Sequence, residues 1–149
     1  MLCVIGDGRS ATAVHRNAAA LLVELRPRLA AAGLQCGPVV LAHQARVALG
    51  DPIGDALNAR SVLVLIGERL GLSSPDSLGA YFTWAPRSEL ADSQRKCVSN
   101  IRAQGLCAAD AADKLAWLIA AARSLGASGV ALKDESGDAS GRVEGRALP

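Results

Sequence analysis

Three short apolar runs with no polar alternation are the strongest constraint this chain places on its own fold: residues 2–5, 39–42 and 61–66. A strand that is apolar at nearly every position must be covered on both faces, the condition of a parallel sheet held between helices. The segments between the runs supply those helices. Residues 11–32 carry apolar side chains at helical spacing, with Ser10 placed to cap the start and Gly33 the end. Pro27 lies inside that segment and is expected to kink or split it. Asp51-Pro52 reads as an N-cap followed by proline at the first helical position, opening a second helix over 51–59. Residues 80–84 read as a fourth strand, 108–125 as a long helix closed by Gly126, and 129–132 as a last short strand. The stretch 86–106 reads as irregular and polar, and a disordered C-terminal tail is expected over 136–149. Strands alternating with helices through short connections predict an α/β chain. The expected fold is a Rossmann-like three-layer domain over residues 1–135, with a mostly parallel sheet flanked by helices.

The 149 residues suit one such domain. Alanine supplies 29 of them and only Tyr81, Phe82, Trp84 and Trp117 are aromatic, so the core is built from small aliphatic groups. A net charge of +2 gives no electrostatic basis for binding nucleic acid or an anionic membrane. No apolar run approaches the roughly 20 residues that span a bilayer. Residues 1–8 hold Asp7 and two glycines, which is not a signal peptide, so a cytoplasmic location is expected. Cys3, Cys36, Cys97 and Cys107 are scattered, and with His15 and His43 they make no zinc spacing; four reduced thiols are expected.

In an open sheet of this class, ligands bind outside the carboxyl ends of the strands, which singles out loops 6–10, 43–51 and 67–76. Gly6-Asp7-Gly8-Arg9-Ser10-Ala11 fits the G-x-G-x-x-A fingerprint. Either it cradles a pyrophosphate, with Arg46 meeting a 2′-phosphate as in an NAD(P)-type dinucleotide module, or it is a plain glycine turn. A Walker phosphate loop is excluded, because no Gly-Lys-Ser/Thr occurs. Glu68 ends the most apolar strand at the rim of the crevice. Its carboxylate can accept hydrogen bonds from amides or amines, or pair at the surface with Arg69 or Arg46. Cys97 has no local histidine or helix terminus to activate it, and reads as a buried or ligand-touching small thiol. Tyr81, Phe82 and Trp84 read as core, with an interface as the alternative. With no acid/base pair, Ser-His-Asp set or metal cage, these residues describe a binding module without a reactive group of its own.

Longer blocks carry a more specific likeness. Asp7-Gly8 with Ser10-Ala11, Ala45-Arg46-Val47, Asp51-Pro52-Ile53-Gly54 and Val64-Leu65-Ile66-Gly67-Glu68-Arg69 stand in order, followed by Gly71-Leu72 and Ser77-Leu78-Gly79-Ala80-Tyr81. Cys97-Val98-Ser99-Asn100-Ile101-Arg102 and Ser128-Gly129-Val130 complete the series. Over residues 2–135 the chain resembles the small (light) subunit of ethanolamine ammonia-lyase. The resemblance implies an adenosylcobalamin-dependent radical elimination that converts ethanolamine to acetaldehyde and ammonia. It also implies a hetero-oligomer in which the large subunit carries the substrate and the catalytic residues, while the small subunit helps enclose the cobalamin. The implied cobalamin contacts fall on Val47, Glu68 and Cys97, with no catalytic residue and no metal ligand in this chain. The family's amino-terminal portion has no counterpart here, so an N-terminally truncated subunit is expected, with a non-functional fragment as an alternative. The resemblance implies the cytoplasm, and a bacterial microcompartment where the family is packaged in one.

Overall fold

The apolar runs become the strands on which the sheet is built. The structure is a computed structural model, and it describes residues 1–68 and 74–135. The expected tail over 136–149 lies outside the described residues, as do Arg69, Gly71 and Leu72. Strand β1 (Leu2–Gly6) lies between β2 (Val39–Ala42) and β3 (Ser61–Gly67) and pairs in parallel with both. Strands β4 (Leu78–Trp84) and β5 (Arg95–Ile101) extend the sheet beyond β3 to give the order β2-β1-β3-β4-β5.

Helix α1 (Ala11–Ala31) and helix α3 (Ala108–Leu125) pack together on one face. Leu21, Leu25, Leu29, Leu115, Leu118 and Ile119 close over Leu63, Leu65 and Phe82 there, and all are buried. The opposite face carries Val62, Val64 and Ile66. A 3₁₀ turn (Val47–Leu49) and the short helix α2 (Gly50–Ala56) cover it through Val47 and Ile53. The result is the expected three-layer α/β domain.

Several local expectations change. Strand β4 runs antiparallel to β3, and β5 antiparallel to β4, so the sheet is mixed where a mostly parallel one was expected. The connection over 68–77 explains the reversal, because it falls short of the dozen or more residues that a parallel crossover needs. The stretch read as irregular contains β5, whose polar sequence reflects an edge strand with an open face: only Val98 and Ile101 are buried. Pro27 does not split α1, which runs unbroken to Ala31. It ends in a glycine cap, with the amide of Gly33 donating to the carbonyl of Ala30 and that of Leu34 to Leu29. The expected strand over 129–132 is instead a 3₁₀ turn (Gly129–Ala131), begun by Gly129 at φ +70°, a conformation an extended strand cannot hold.

Asp51 departs furthest from its sequence reading. The helix begins one residue before it, so it is no N-cap; its carboxylate instead forms a buried ion pair with Arg95 of β5. The two side chains are 3% and 5% exposed, and Arg95 also donates to the carbonyl of Leu90 at 3.1 Å. Removing one partner strands the other charge in the interior. Arg95→Met is therefore expected to destabilise the domain by about 3–5 kcal/mol, whereas Asp51→Leu combined with Arg95→Met recovers most of that loss. Urea unfolding of the single and double variants measures the difference, and equal losses would refute it.

Candidate functional site

The strand order places the ends of β2, β1 and β3 side by side, with the chain passing to α1 after β1 and to α2, on the opposite face, after β2; this is the end at which open α/β sheets hold ligands. Asp7, directly after β1, organises this end. Its two carboxylate oxygens accept from the backbone amides of Gln44 and Ala45, each at 3.0 Å, and so fix the loop that leads into Val47. Those two hydrogen bonds hold the Asp7 carboxyl below its ordinary range.

The glycine fingerprint serves the protein's own chain. Gly8 sits at φ +56°, and any side chain there would run into Ile66 and the carbonyl of Gly67. The amide of Arg9 donates to that same carbonyl at 2.9 Å, and the amide of Ser10 to the Asp7 carbonyl at 3.1 Å. Ser10 caps α1 by accepting from Ala13, while its hydroxyl donates to the carbonyl of Pro75. The amides of Arg9, Ser10 and Ala13 are thus already engaged within the chain, which favours the plain-turn reading.

Glu68 folds back from the end of β3 across the start of β4. Its path crosses Gly79, where a Cβ would collide with the carboxylate. The Tyr81 hydroxyl donates to Glu68 Oε1 at 3.0 Å, the Ser77 hydroxyl to Oε2 at 3.3 Å, and the Asn100 amide approaches Oε2 at 3.5 Å. Among the described residues Arg46 forms no ion pair with it; that guanidinium donates to the Ala45 carbonyl. Tyr81 stands opposite Val64 on β3 and Cys97 on β5. Cys97 is exposed as a residue. Burial pushes that thiol above its ordinary value, the Tyr81 hydroxyl pulls it down, and the Glu68 carboxylate pushes it up.

The three residues singled out from the sequence therefore share one face. Val47 and Glu68 line a single depression of about 190 Å³, together with Arg46 and Tyr81, and Cys97 is the strand neighbour of Tyr81. The depression is below the roughly 300–1,000 Å³ of a site that encloses a ligand by itself. Tyr81 is the residue that sequence reasoning assigned to core or interface. Its signal was available only in the antiparallel register, which aligns it with Cys97. Among the described residues no group of three His, Cys, Asp or Glu side chains could hold a metal ion, and no helix is long and apolar enough to cross a membrane.

Because Asp7 is held below its ordinary value, its anchor on the 44–45 amides is intact above the unfolded carboxyl value of about 3.9 and is lost as pH falls through the folded one. Hydrogen exchange of the Gln44 and Ala45 amides is expected to accelerate in that acid range, and at neutral pH in Asp7→Ala. Unchanged protection in that variant would remove Asp7 from this role.

Comparison with known proteins agrees in one direction. The sequence model described as ethanolamine ammonia-lyase light chain matches residues 1–133. The ethanolamine ammonia-lyase small subunit of Rhodopseudomonas palustris is 58% identical over 136 residues, covering 91% of this chain and 52% of the relative. That of Bradyrhizobium diazoefficiens is 55% identical over 147 residues, covering 98% and 56%, and that of Xanthomonas campestris 53% identical over 133 residues, covering 89% and 49%. The chain spans about half the length of the curated relatives it matches.

Proposed function

Since the chain belongs to the ethanolamine ammonia-lyase light-chain family, we propose that it supplies one wall of the chamber that holds adenosylcobalamin in an ethanolamine ammonia-lyase. The observation that supports this reading is that Val47 and Glu68 line one depression with Tyr81, and that Cys97 stands beside Tyr81 in the strand register. The partner is a large subunit that brings the groups acting on ethanolamine, and the complex works in the cytoplasm, within a microcompartment where its host builds one. When bound, adenosylcobalamin supplies the radical chemistry that releases ammonia and acetaldehyde.

The donor and acceptor chemistry of the wall suits a corrinoid edge. A corrin ring is rimmed by amide side chains whose N–H₂ groups need acceptors, and Glu68 offers two carboxylate oxygens on this face. Val47 presents an apolar surface from a turn held in place by Asp7 and packed on the sheet, which excludes water from its side of the chamber. Cys97 is small and permits close approach; in this reading it is a neighbour of the macrocycle and not a ligand of cobalt. The chain's own residues bind, orient and shield, and the proton and hydrogen transfers belong to the partner subunit.

The test uses the complex of this chain with its large subunit. Replacing Glu68 by alanine is expected to lower cobalamin affinity by about ten- to a hundred-fold, the worth of hydrogen bonds to a charged group, with subunit association unchanged on gel filtration. The isolated chain is expected to have no turnover. Cobalamin retention identical to the parent in Glu68→Ala, Val47→Ala and Cys97→Ser would overturn the assignment.

A further inference from the structure

We propose that Arg46 is the donor half of an amide-reading pair in this wall. Its guanidinium gives an N–H to the carbonyl of one carboxamide on the corrin rim, while Glu68 accepts from the N–H₂ of the same group. The assignment rests on the cofactor-wall reading, to which it adds a second contact residue and a chemical selectivity. Arg46 and Glu68 carry opposite charges and line the same depression of about 190 Å³. Among the described residues no ion pair joins them. Closing such a pair at the surface gains little, so separate anchors are enough to keep it open.

Each partner has its own anchor. Arg46 stands in extended backbone at the head of the 3₁₀ turn, and its Nη1 donates to the Ala45 carbonyl at 2.9 Å. The Ala45 amide in turn donates to Asp7 Oδ1 at 3.0 Å, so the peptide that carries the anchoring carbonyl is itself fastened to the end of β1. Glu68 is held from the β4 side, accepting from the Tyr81 hydroxyl on Oε1 and from the Ser77 hydroxyl on Oε2. Arg9 lines the depression too, but its guanidinium is exposed and has no hydrogen bond among the described residues, so Arg46 is the donor held in place.

The capacity left over defines the ligand group. A guanidinium has five N–H groups, of which Arg46 spends one within the chain. A carboxylate oxygen has about two lone-pair positions, and Oε1 has given one to Tyr81. A group seated between them needs an acceptor for Arg46 and an N–H for Glu68. A carboxylate would satisfy the first and be repelled by the second; an ammonium would do the reverse. A primary carboxamide carries an acceptor oxygen and two N–H donors on neighbouring atoms with no net charge, and it satisfies both.

The experiment uses the complex with the large subunit. Its probes are cobalamin and the isomeric cobalamin monocarboxylic acids, each with one rim carboxamide hydrolysed to a carboxylate, and equilibrium dialysis at neutral pH gives their affinities. The parent is expected to hold one isomer at least about ten-fold more weakly than the others, since that carboxylate has no N–H for Glu68 and meets its charge. Glu68→Gln is expected to narrow this gap and Arg46→Ala to widen it, a response that loss of loop structure alone would not produce. Arg46→Ala is also expected to lower affinity for cobalamin itself about ten-fold, with subunit association on gel filtration unchanged. Equal affinity for all the isomers in the parent would overturn the amide-reading pair. Affinity that falls in Glu68→Ala but stays at the parent level in Arg46→Ala would remove Arg46 and leave the cofactor wall standing, whereas parent affinity in every variant would remove the wall. Weakened subunit association in Arg46→Ala, with cobalamin affinity of the assembled complex unchanged, would assign the carboxamide to an Asn or Gln of the large subunit and overturn its corrinoid source.

Discussion

A carboxylate and a guanidinium, both almost wholly removed from water, fasten the far edge of the sheet to the one helix on its thinner side. Asp51 belongs to the first turn of α2 and Arg95 to the first residue of β5, so the bond spans β3 and β4 beneath it. Burying such a pair rarely adds much net stability, because desolvation offsets the attraction. What it does fix is distance. Val47 lies four residues before Asp51 and Cys97 two residues after Arg95, so the clamp holds both flanks of the candidate site at once. Asp51 Oδ1 and Arg95 Nε have no hydrogen-bond partner among the described residues, so the geometry is dictated by the one shared contact and the flanking bonds to Asp92 and Leu90.

The reversal of β4 completes the arrangement. An antiparallel pair sets residues directly opposite one another, and the register Val64–Tyr81–Cys97 runs straight across three strands. Glu68, directly after β3, lies back over Gly79 and Tyr81 of β4. A parallel fourth strand would need a helical crossover there, and that helix would cover the face on which Glu68 and Tyr81 meet. Beyond Tyr81 the ladder shifts register between Leu78 and Ala80, and Asn100 takes a φ of +59°. This irregularity brings the Asn100 amide to Glu68, a use of a bulge to re-aim a group near a site.

The sequence made the parallel half of the fold legible because unalternating apolar runs have one physical meaning, and β1, β2 and β3 fall where those runs are. It concealed β5 because an edge strand open on one face carries Lys96, Ser99 and Asn100 in the way a loop does. The site was legible in pieces. Loop logic singled out the ends of β1, β2 and β3, and the family resemblance supplied Val47, Glu68 and Cys97. Tyr81 stands between Glu68 and Cys97, and its phenol looks like core packing until the antiparallel register is known. The Asp51–Arg95 pair was illegible for a different reason: Asp-Pro is also a helix-start signal, and 44 residues separate the partners.

The polarity of this end of the sheet narrows what it can hold. The backbone donors of a helix start ordinarily make such a position a site for anions. Here the amides of Arg9, Ser10 and Ala13 donate within the chain, and those of Gln44 and Ala45 are taken by Asp7. Glu68 then adds negative charge on the neighbouring face, opposing a phosphate while inviting donors. Arg9 and Arg46 remain on the rim, but Arg46 already serves the Ala45 carbonyl. A ligand matched to this surface presents N–H groups along an extended apolar edge and leaves its reactive centre to the other side of the chamber. An amide-rimmed macrocycle has that character, whereas a dinucleotide would bring its charged pyrophosphate beside the Glu68 carboxylate, to a helix start whose Arg9, Ser10 and Ala13 amides are already bonded.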